Sequence, residues 1–361
     1  MNILLLTPEL FLADGGIARI MRLYLKAACE LCGPGGRVDS LVLNDQPGRD
    51  PRLARYANER LGEQLGCAGG KLRFITQAVG LARRADLLIC GHLHHLPVAQ
   101  LARRFNPRLR YYLVAHGIEV WRPYTWLERR ALLGAHRILC VSEYTRRQML
   151  RFLPALAPER VVVVPNALDP QFSPDRTRAL SPQPFAGPRI LTVSRLTVAD
   201  NYKGIDTLIE AMPLIRRQHP FAQLRVVGQG DDLPRLRNLA ASLGVAGAVE
   251  FTGPLDDEAL RTEYATCDFF ALPSRREGFG LVFLEAMAHG KPCIGADAGG
   301  TPEVIDHSCG CLVPYANRSA LVAACTTVFA ATWNAKDIKE RTCHRFGFET
   351  FQKNLGPVLS S

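Results

Sequence analysis

Two glutamates flank a glycine-bearing loop in the second half of the chain. Glu277 and Glu285 stand eight positions apart (285 − 277), and Gly278 and Gly280 lie between them. Ionised carboxylates accept hydrogen bonds from hydroxyl groups, and glycine lets a backbone approach a ligand closely. The amides of residues 280–283, at the start of a predicted helix, favour an anion. These residue types and their spacing predict a site for a ligand that carries both hydroxyl groups and negative charge.

The elements that must position these residues follow from the apolar pattern. Residues 267–271 predict a buried strand, and Leu281, Leu284 and Met287 recur at helical spacing within a predicted helix over 280–289. Glu277 therefore lies on the loop between strand and helix, whereas Glu285 lies more than one turn inside the helix. Taken alone, the spacing also fits an ordinary surface turn with solvated glutamates.

The residues around the glutamates resemble a known family. The string over 272–288 is similar to the Glu-x7-Glu segment of glycosyltransferase family 4, whose members are retaining enzymes, and the similarity extends over 290–295 and 299–305. The resemblance implies an α/β fold of the GT-B type, with two Rossmann-like, doubly wound domains that face one another across a cleft. It gives Glu277 a catalytic role at the sugar hydroxyls. It implies that the nucleotide-sugar donor is bound by Gly278, Phe279, Gly280, Leu281 and Glu285. Among these, Glu285 would bind the ribose.

Two cations near another strand end could stabilise a diphosphate. Arg195 follows a strand predicted over 190–194, and Lys203 comes just before a helix predicted from 205. A nucleotide sugar loses a nucleoside diphosphate, and a guanidinium fork and an ammonium group suit the charge that develops. They match the family's diphosphate-binding pair, although the loop between them is among its longer variants. Solvated surface cations are the alternative.

Further candidates lie in the first half. Gly15 and Gly16 separate the first predicted strand from the first helix, without the full Gly-x-Gly-x-x-Gly pattern of a dinucleotide site. The resemblance implies that they approach the diphosphate or the donor sugar. His116 follows a strand predicted over 110–115 and resembles the family's cleft histidine, a catalytic residue that hydrogen-bonds the donor sugar. Gly117 stands where many members have Asp.

No metal and no cofactor are expected. His92, His94 and His95 follow one strand, but no carboxylate pattern completes a metal site with them. The 11 cysteines are an odd number at scattered positions, without a second pair or histidines at ligand spacing, and this predicts reduced, unligated thiols. The nucleoside-diphosphate sugar is then a substrate.

The domain organisation follows from alternating strands and helices, which are typical of parallel sheets with ligands at the carboxyl ends of the strands. We predict a first, acceptor-side Rossmann-like domain over 1–170 and a proline-rich linker over 171–188. A nucleotide-sugar-binding domain follows over 189–344. The resemblance implies that residues 345–361 form a helix that folds back towards the first domain. The polar, glycine-rich stretch over 45–70 shows no clear period.

The net charge of +10 is concentrated in the first half. Residues 1–170 hold 24 Lys and Arg against 14 Asp and Glu, so the other 20 basic and 20 acidic residues cancel. Attraction to an anionic membrane surface and a dispersed, solvated basic surface are the two explanations. No nucleic-acid module accompanies the charge, so nucleic acid is not expected as a partner. Without a transmembrane run or a signal sequence, we expect a cytoplasmic protein. The first explanation of the charge would place it peripherally on the inner face of the membrane, and the second would not.

Together these features and the family resemblance predict a metal-independent hexosyltransferase, and the resemblance implies that it is a retaining enzyme. It would move a sugar from a nucleoside-diphosphate sugar to an acceptor hydroxyl on a glycan, and a lipid-linked glycan in cell-surface polysaccharide synthesis fits the basic first half. Two alternatives remain open: a nucleotide-sugar hydrolase or epimerase on the same fold, and a sugar-nucleotide-binding protein without catalysis.

Overall fold

The chain divides into two compact units. The computed structural model describes residues 1–13, 15–172 and 187–360. The first unit comprises residues 1–169 and 348–361, and the second comprises residues 170–347. Most of the predicted linker, residues 173–186, lies outside the described residues. Each helix within the described ranges is too short or too polar to span a bilayer.

Seven parallel strands form the sheet of the first unit, in the order β3-β2-β1-β4-β5-β6-β7. The order reverses between β1 and β4, so the loops after these two strands part there and leave room for a ligand. The strands are β1 (Asn2–Thr7), β2 (Arg37–Val42), β3 (Leu61–Gly66), β4 (Leu87–Cys90), β5 (Arg110–Ala115), β6 (Arg137–Cys140) and β7 (Val161–Val163). The helices are α1 (Gly16–Leu31), α2 (Lys71–Ala82), α3 (Leu96–Arg103), α4 (Trp126–Gly134) and α5 (Glu143–Phe152).

Six parallel strands form the sheet of the second unit, in the order β10-β9-β8-β11-β12-β13. Here the order reverses between β8 and β11. The strands are β8 (Arg189–Val193), β9 (Gln223–Val227), β10 (Val249–Gly253), β11 (Phe269–Leu272), β12 (Cys293–Ala296) and β13 (Gly310–Val313). The helices are α6 (Ile205–Gln218), α7 (Leu233–Ser242), α8 (Asp257–Thr266), α9 (Leu281–Ala288), α10 (Arg318–Ala330) and α11 (Ala335–Phe346).

The last helix, α12 (Phe348–Ser360), completes the first unit rather than the second. Its Phe351 packs edge-on against Tyr24 of α1, with the ring centroids 5.0 Å apart. The Tyr112 hydroxyl of β5 donates a hydrogen bond to the Val358 carbonyl at 3.1 Å. The aromatic contact and the buried hydroxyl together attach α12 to one face of the first sheet.

Three elements differ from the sequence-based expectations. β3 lies within the stretch that shows no period, because it is an edge strand with a Leu-Gly pair on each side of Glu63 and Gln64, and four of its six residues are half-buried. α11 was not predicted, because only Ile338, Thr342 and Phe346 of its 12 residues are buried. Arg345 and Phe346 end α11, so the final helix begins at Phe348 and not at 345.

Candidate functional site

Four loops meet at the carboxyl edge of the second sheet, after β8, β9, β11 and β12. The Arg275 amide donates to the Tyr202 carbonyl at 2.9 Å, which joins the loop after β11 to the loop after β8. The Gly300 amide donates to the Glu277 carbonyl at 2.7 Å, which joins the loop after β12. Since β8 and β11 are the neighbours at which the strand order reverses, these loops lie where a doubly wound sheet binds its ligand.

Lys203 and Glu277 form a largely buried ion pair at this edge. The ammonium Nζ lies 2.5 Å from the carboxylate Oε1, and the two side chains are 17% and 9% exposed. The residues are 74 positions apart in sequence. A compact cation and a carboxylate are therefore held side by side, and Glu277 does not point outward into solvent.

Asp200 anchors Arg195 to the loop that carries Lys203. Its carboxylate accepts hydrogen bonds from the Tyr202 hydroxyl at 2.7 Å and the Thr197 hydroxyl at 2.8 Å, and Arg195 Nη2 lies 3.2 Å away. Burial alone would raise the pKa of Asp200, but these two hydrogen bonds and the charge of Arg195 lower it. The Arg195 side chain itself is 75% exposed. Sequence reasoning missed Asp200. The available signal was its position three residues after Thr197, which stands at the start of a turn.

Two glycines allow close packing of the backbone in the loops next to Glu277. Gly280 has φ +92°, and a Cβ there would lie 2.5 Å from the Phe283 ring. Gly299 has φ +63°, and its Cβ would lie 2.6 Å from the Glu277 carbonyl oxygen. α9 begins directly after Gly280 without a side-chain cap. Its first amides therefore have no capping side chain, as the predicted anion site requires.

The other predicted donor residues lie around the same turn. Gly278 and Leu281 are half-buried, and Phe279 is buried. The Phe279 ring packs edge-on against Phe346 of α11, with the centroids 5.5 Å apart. The Phe279 side chain thus anchors the turn to the core of the second unit.

Glu285 is buried and bonded inside the second unit. The Tyr264 hydroxyl donates a hydrogen bond to its Oε2 at 2.9 Å. Tyr264 in turn stacks on His289, with the ring centroids 5.7 Å apart and the planes inclined by 22°. His289 donates from Nδ1 to the Glu285 carbonyl at 2.8 Å, and burial lowers the pKa of this histidine. Sequence reasoning missed Tyr264, which precedes Glu285 by 21 positions on a different helix.

In the first unit, Asp45 holds the loop that leads to the glycine pair. Its carboxylate accepts hydrogen bonds from the amides of Leu10, Phe11 and Leu12 at 3.0–3.2 Å. Gly15 has an ordinary extended backbone, and a side chain there would meet nothing within 4 Å. Gly16 is exposed and is the first residue of α1. The turn therefore does not itself require glycine at 15, and the space beside it is open.

His116 lies at the matching edge of the first sheet, just after β5. Its Nε2 donates a hydrogen bond to the Gly91 carbonyl at 3.0 Å, and its amide donates to Glu119 Oε1 at 2.5 Å. Burial lowers the pKa of His116 to about 4, so the imidazole is neutral near pH 7. The Gly91 amide donates to the Leu6 carbonyl of β1 at 2.7 Å. The histidine is thus attached to the loops at the reversal of strand order.

The neighbouring histidines do not form a metal site. No group of three or more His, Cys, Asp or Glu side chains within the described ranges could hold a metal ion. The His92 and His94 rings lie 4.7 Å apart, and His92 Nδ1 accepts the His94 amide. His95 turns inward against Phe74, with its Nδ1 buried and unbonded. All 11 cysteines are free thiols.

The structure brings together part of the predicted set. Gly15, Gly16 and His116 belong to the first unit, and the other eight predicted residues belong to the second. Lys203 contacts Glu277 directly, and Arg195 reaches the same loop through Asp200. Among the residues that the structure describes, Arg195 bonds to neither glutamate.

Two parallel sheets, each with a candidate site at its reversal of strand order, define a two-domain, Rossmann-like protein of the GT-B class. Solved structures share this fold. Anabaena HepE in complex with UDP and glucose matches 100% of this chain and 99% of its own, with a TM-score of 0.76 and 21% identity. Sucrose-phosphate synthase from Thermosynechococcus elongatus matches 99% and 98%, with a TM-score of 0.79 and 23% identity.

The chain belongs to glycosyltransferase family 4. The family model described as Glycosyltransferase Family 4 matches residues 33–172, and the model for group 1 glycosyl transferases matches residues 187–331. A GDP-mannose-dependent alpha-(1-6)-phosphatidylinositol monomannoside mannosyltransferase from Mycobacterium tuberculosis is 36% identical over 331 aligned residues, which cover 74% of this chain and 82% of the relative. The enzyme of the same name from Mycolicibacterium smegmatis is 35% identical over 242 residues, and the match covers 62% of each chain.

Proposed function

We propose that this glycosyltransferase is a retaining, metal-independent enzyme that transfers mannose from GDP-mannose to a hydroxyl of a lipid-linked glycan. The names of the mycobacterial relatives support this donor and a lipid-linked acceptor. The observation that carries the proposal is the Lys203–Glu277 pair beside the uncapped start of α9. We further propose that the enzyme works in the cytoplasm, peripherally on the membrane.

Each residue has a role in the proposed transfer. Lys203, Arg195 and the first amides of α9 stabilise the diphosphate as the bond between the anomeric carbon and the phosphate oxygen breaks. The acceptor oxygen bonds to that carbon on the same face, and its proton passes to the leaving diphosphate. Glu277 accepts hydrogen bonds from the sugar hydroxyls, and Glu285 accepts them from the ribose.

In this scheme the first unit supplies an uncharged hydrogen-bonding side chain, His116, for the donor sugar. Because burial lowers the pKa of His116 to about 4, the side chain offers hydrogen bonds to the donor sugar and no charge. Gly15 has open space beside its backbone, and together with the exposed Gly16 it would let the diphosphate or sugar approach. No step in the scheme requires a cofactor.

The test is nucleotide release from GDP-mannose, with UDP-glucose and ADP-glucose in parallel, in the presence and absence of phosphatidylinositol mannoside. Release that depends on the acceptor, with an α-linked product by NMR and unchanged rates in EDTA, supports the proposal. Equal release without acceptor indicates a hydrolase, and binding without turnover indicates a binding protein. A β-linked product or loss of activity in EDTA contradicts retention or metal independence, respectively.

A matched pair of lysine variants assigns the activity to the site. Lys203→Met removes the buried ammonium group and should abolish most of the turnover. Lys336→Met removes an ammonium group that is 79% exposed on α11 of the same unit, and it should leave turnover unchanged. Equal turnover in both variants would overturn the assignment of Lys203 to the diphosphate.

A further inference from the structure

Helices α3 and α4 present large apolar side chains to solvent. Trp126 is 68% exposed, Leu127 is 55% exposed and Leu101 is 37% exposed. They line one open groove together with three basic side chains. We call this set the α3–α4 surface; it consists of Leu101, Arg103, Arg104, Trp126, Leu127 and Arg130.

Hydrogen bonds join the two helices that form the walls of the groove. Gln100 Nε2 donates to the Arg130 carbonyl at 3.1 Å, and Arg103 Nη1 donates to the Gly134 carbonyl at 3.3 Å. Beneath them, the buried Tyr111 hydroxyl donates to the Ala131 carbonyl at 2.9 Å. These bonds join α3 and α4, the helices that carry the exposed apolar side chains, to each other, and they join α4 to β5.

The charge of this surface has one sign. Residues 71–134 hold 11 Lys and Arg against three Asp and Glu. The single carboxylate on α3 or α4, Glu128, is buried and paired with Arg122 at 2.7 Å. No carboxylate within the described ranges pairs with Arg104 or Arg130, and the Arg130 guanidinium lies 5.4 Å from the centre of the Trp126 ring. The surface therefore offers cations beside apolar side chains and no competing anion.

We propose that the α3–α4 surface docks on a bilayer that contains anionic phospholipid. Tryptophan favours the boundary between headgroups and acyl chains, so Trp126 and Leu127 would enter that boundary. Basic side chains close to an anionic surface are each attracted by it, so Arg103, Arg104 and Arg130 would contact the headgroup phosphates. The charge complementarity favours such a bilayer over a neutral apolar partner, because a neutral partner would leave these cations unmatched.

The proposal extends the proposed function, since a lipid-linked acceptor would be met at such a surface. Vesicle binding is measured without donor or acceptor, so either proposal can fail alone. The full chain is sedimented with vesicles of phosphatidylcholine that contain phosphatidylglycerol, and with vesicles of phosphatidylcholine alone. We expect binding that requires phosphatidylglycerol and falls as the salt concentration rises.

Variants place the binding on this surface. Arg104→Gln with Arg130→Gln should weaken vesicle binding roughly 30-fold, which corresponds to about 1 kcal/mol for each arginine. Arg217→Gln with Phe221→Ser removes an exposed arginine and a 64% exposed phenylalanine from the second unit, and it should bind as the unaltered chain does. Equal losses in the two double variants would overturn the assignment to the α3–α4 surface.

Fluorescence gives a second readout that does not depend on affinity. Brominated phosphatidylcholine in the vesicles should quench Trp126 on binding, and the quenching should disappear in Trp126→Phe, because Trp121 is buried and Trp333 lies in the second unit. Quenching that persists in Trp126→Phe would overturn the proposal. Binding to phosphatidylcholine alone, or full competition by inorganic phosphate at matched ionic strength, would also overturn it.

Discussion

Replacing one member of the Lys203–Glu277 pair should destabilise the second unit far more than replacing both. The ammonium and carboxylate lie 2.5 Å apart and are only 17% and 9% exposed, so either single change leaves a charge that water reaches poorly. Removing one partner of a buried pair typically costs about 3–5 kcal/mol, whereas replacing both with apolar side chains can be nearly neutral. The residual exposure reduces the first figure.

We expect Lys203→Met and Glu277→Leu each to lower the free energy of unfolding by roughly 2–4 kcal/mol, and the double variant to lower it by about 1 kcal/mol. The coupling energy is then roughly 3 kcal/mol or more of favourable interaction in the folded unit. The exposed pair Lys336–Glu340, at 3.8 Å with side chains 79% and 64% exposed, serves as the control. The same cycle there should give a coupling energy below about 0.5 kcal/mol.

The assay is urea unfolding combined with hydrogen exchange of peptides from residues 189–347. Two compact units need not unfold together, and hydrogen exchange resolves the second from the first. Additive effects of the two single changes at the buried pair, within about 0.5 kcal/mol, would refute the reasoning. So would a coupling energy equal to that of the exposed control.

Three further predictions concern backbone fit, a buried hydrogen bond and acid stability. A Cβ at Gly299 would lie 2.6 Å from a carbonyl oxygen and on a left-handed backbone, whereas Gly244 has φ +69° and open space around it. By urea unfolding, Gly244→Ala should therefore cost about 1–2 kcal/mol of stability and Gly299→Ala clearly more. Equal costs would contradict the close packing at Gly299. Tyr264→Phe removes the hydroxyl that donates to Glu285 and should cost roughly 1.5–3 kcal/mol, and an unchanged unfolding curve would show that the bond contributes little. Burial lowers the pKa of His95 to about 3 from an ordinary value of 6.5, so the unfolded state binds the extra proton as pH falls through this window. The contribution of neutral His95 to the free energy of unfolding is complete above pH 6.5 and should be about 2 kcal/mol smaller at pH 5. His95→Leu should remove this part of the pH dependence. Parallel plots of unfolding free energy against pH for the variant and the unaltered chain would contradict the prediction.

Buried parallel strands were readable from the sequence because both of their faces are covered. All four residues of β4 and all four of β11 are buried and apolar, so each appears as a continuous apolar run. The edge strand β3 lacks that signal, since a Leu-Gly pair stands on each side of Glu63 and Gln64 and four of its six residues are only half-buried. α11 lacks it because one narrow stripe of the helix meets the core.

The positions of the candidate-site residues were predictable from the sequence, and the contacts between them were not. Arg195, Lys203 and Glu277 follow strands that the apolar pattern locates, and the carboxyl ends of parallel strands share one edge. The contact between Lys203 and Glu277 depends on β8 lying beside β11, two strands separated by about 80 residues. Strand order is a property of the whole sheet, and the local sequence around either residue does not predict it. Tyr264 was missed for a similar reason, because its partner Glu285 lies 21 positions away on a different helix. Asp200 differs, because its partners Thr197 and Tyr202 are sequence neighbours and the turn after Thr197 was a local signal for it.

The ion pair also bears on how the proposed transfer would proceed. In the folded chain Lys203 already lies at the candidate site, held by Glu277, so no lysine movement from solvent is needed when a diphosphate arrives. A cation fixed before the reaction stabilises developing charge without the cost of reorganisation. On the proposed function, the positive charge of Lys203 would offset the repulsion between Glu277 and the donor diphosphate. Loss of the Lys203 charge would therefore weaken binding of the diphosphate and also of the sugar beside Glu277.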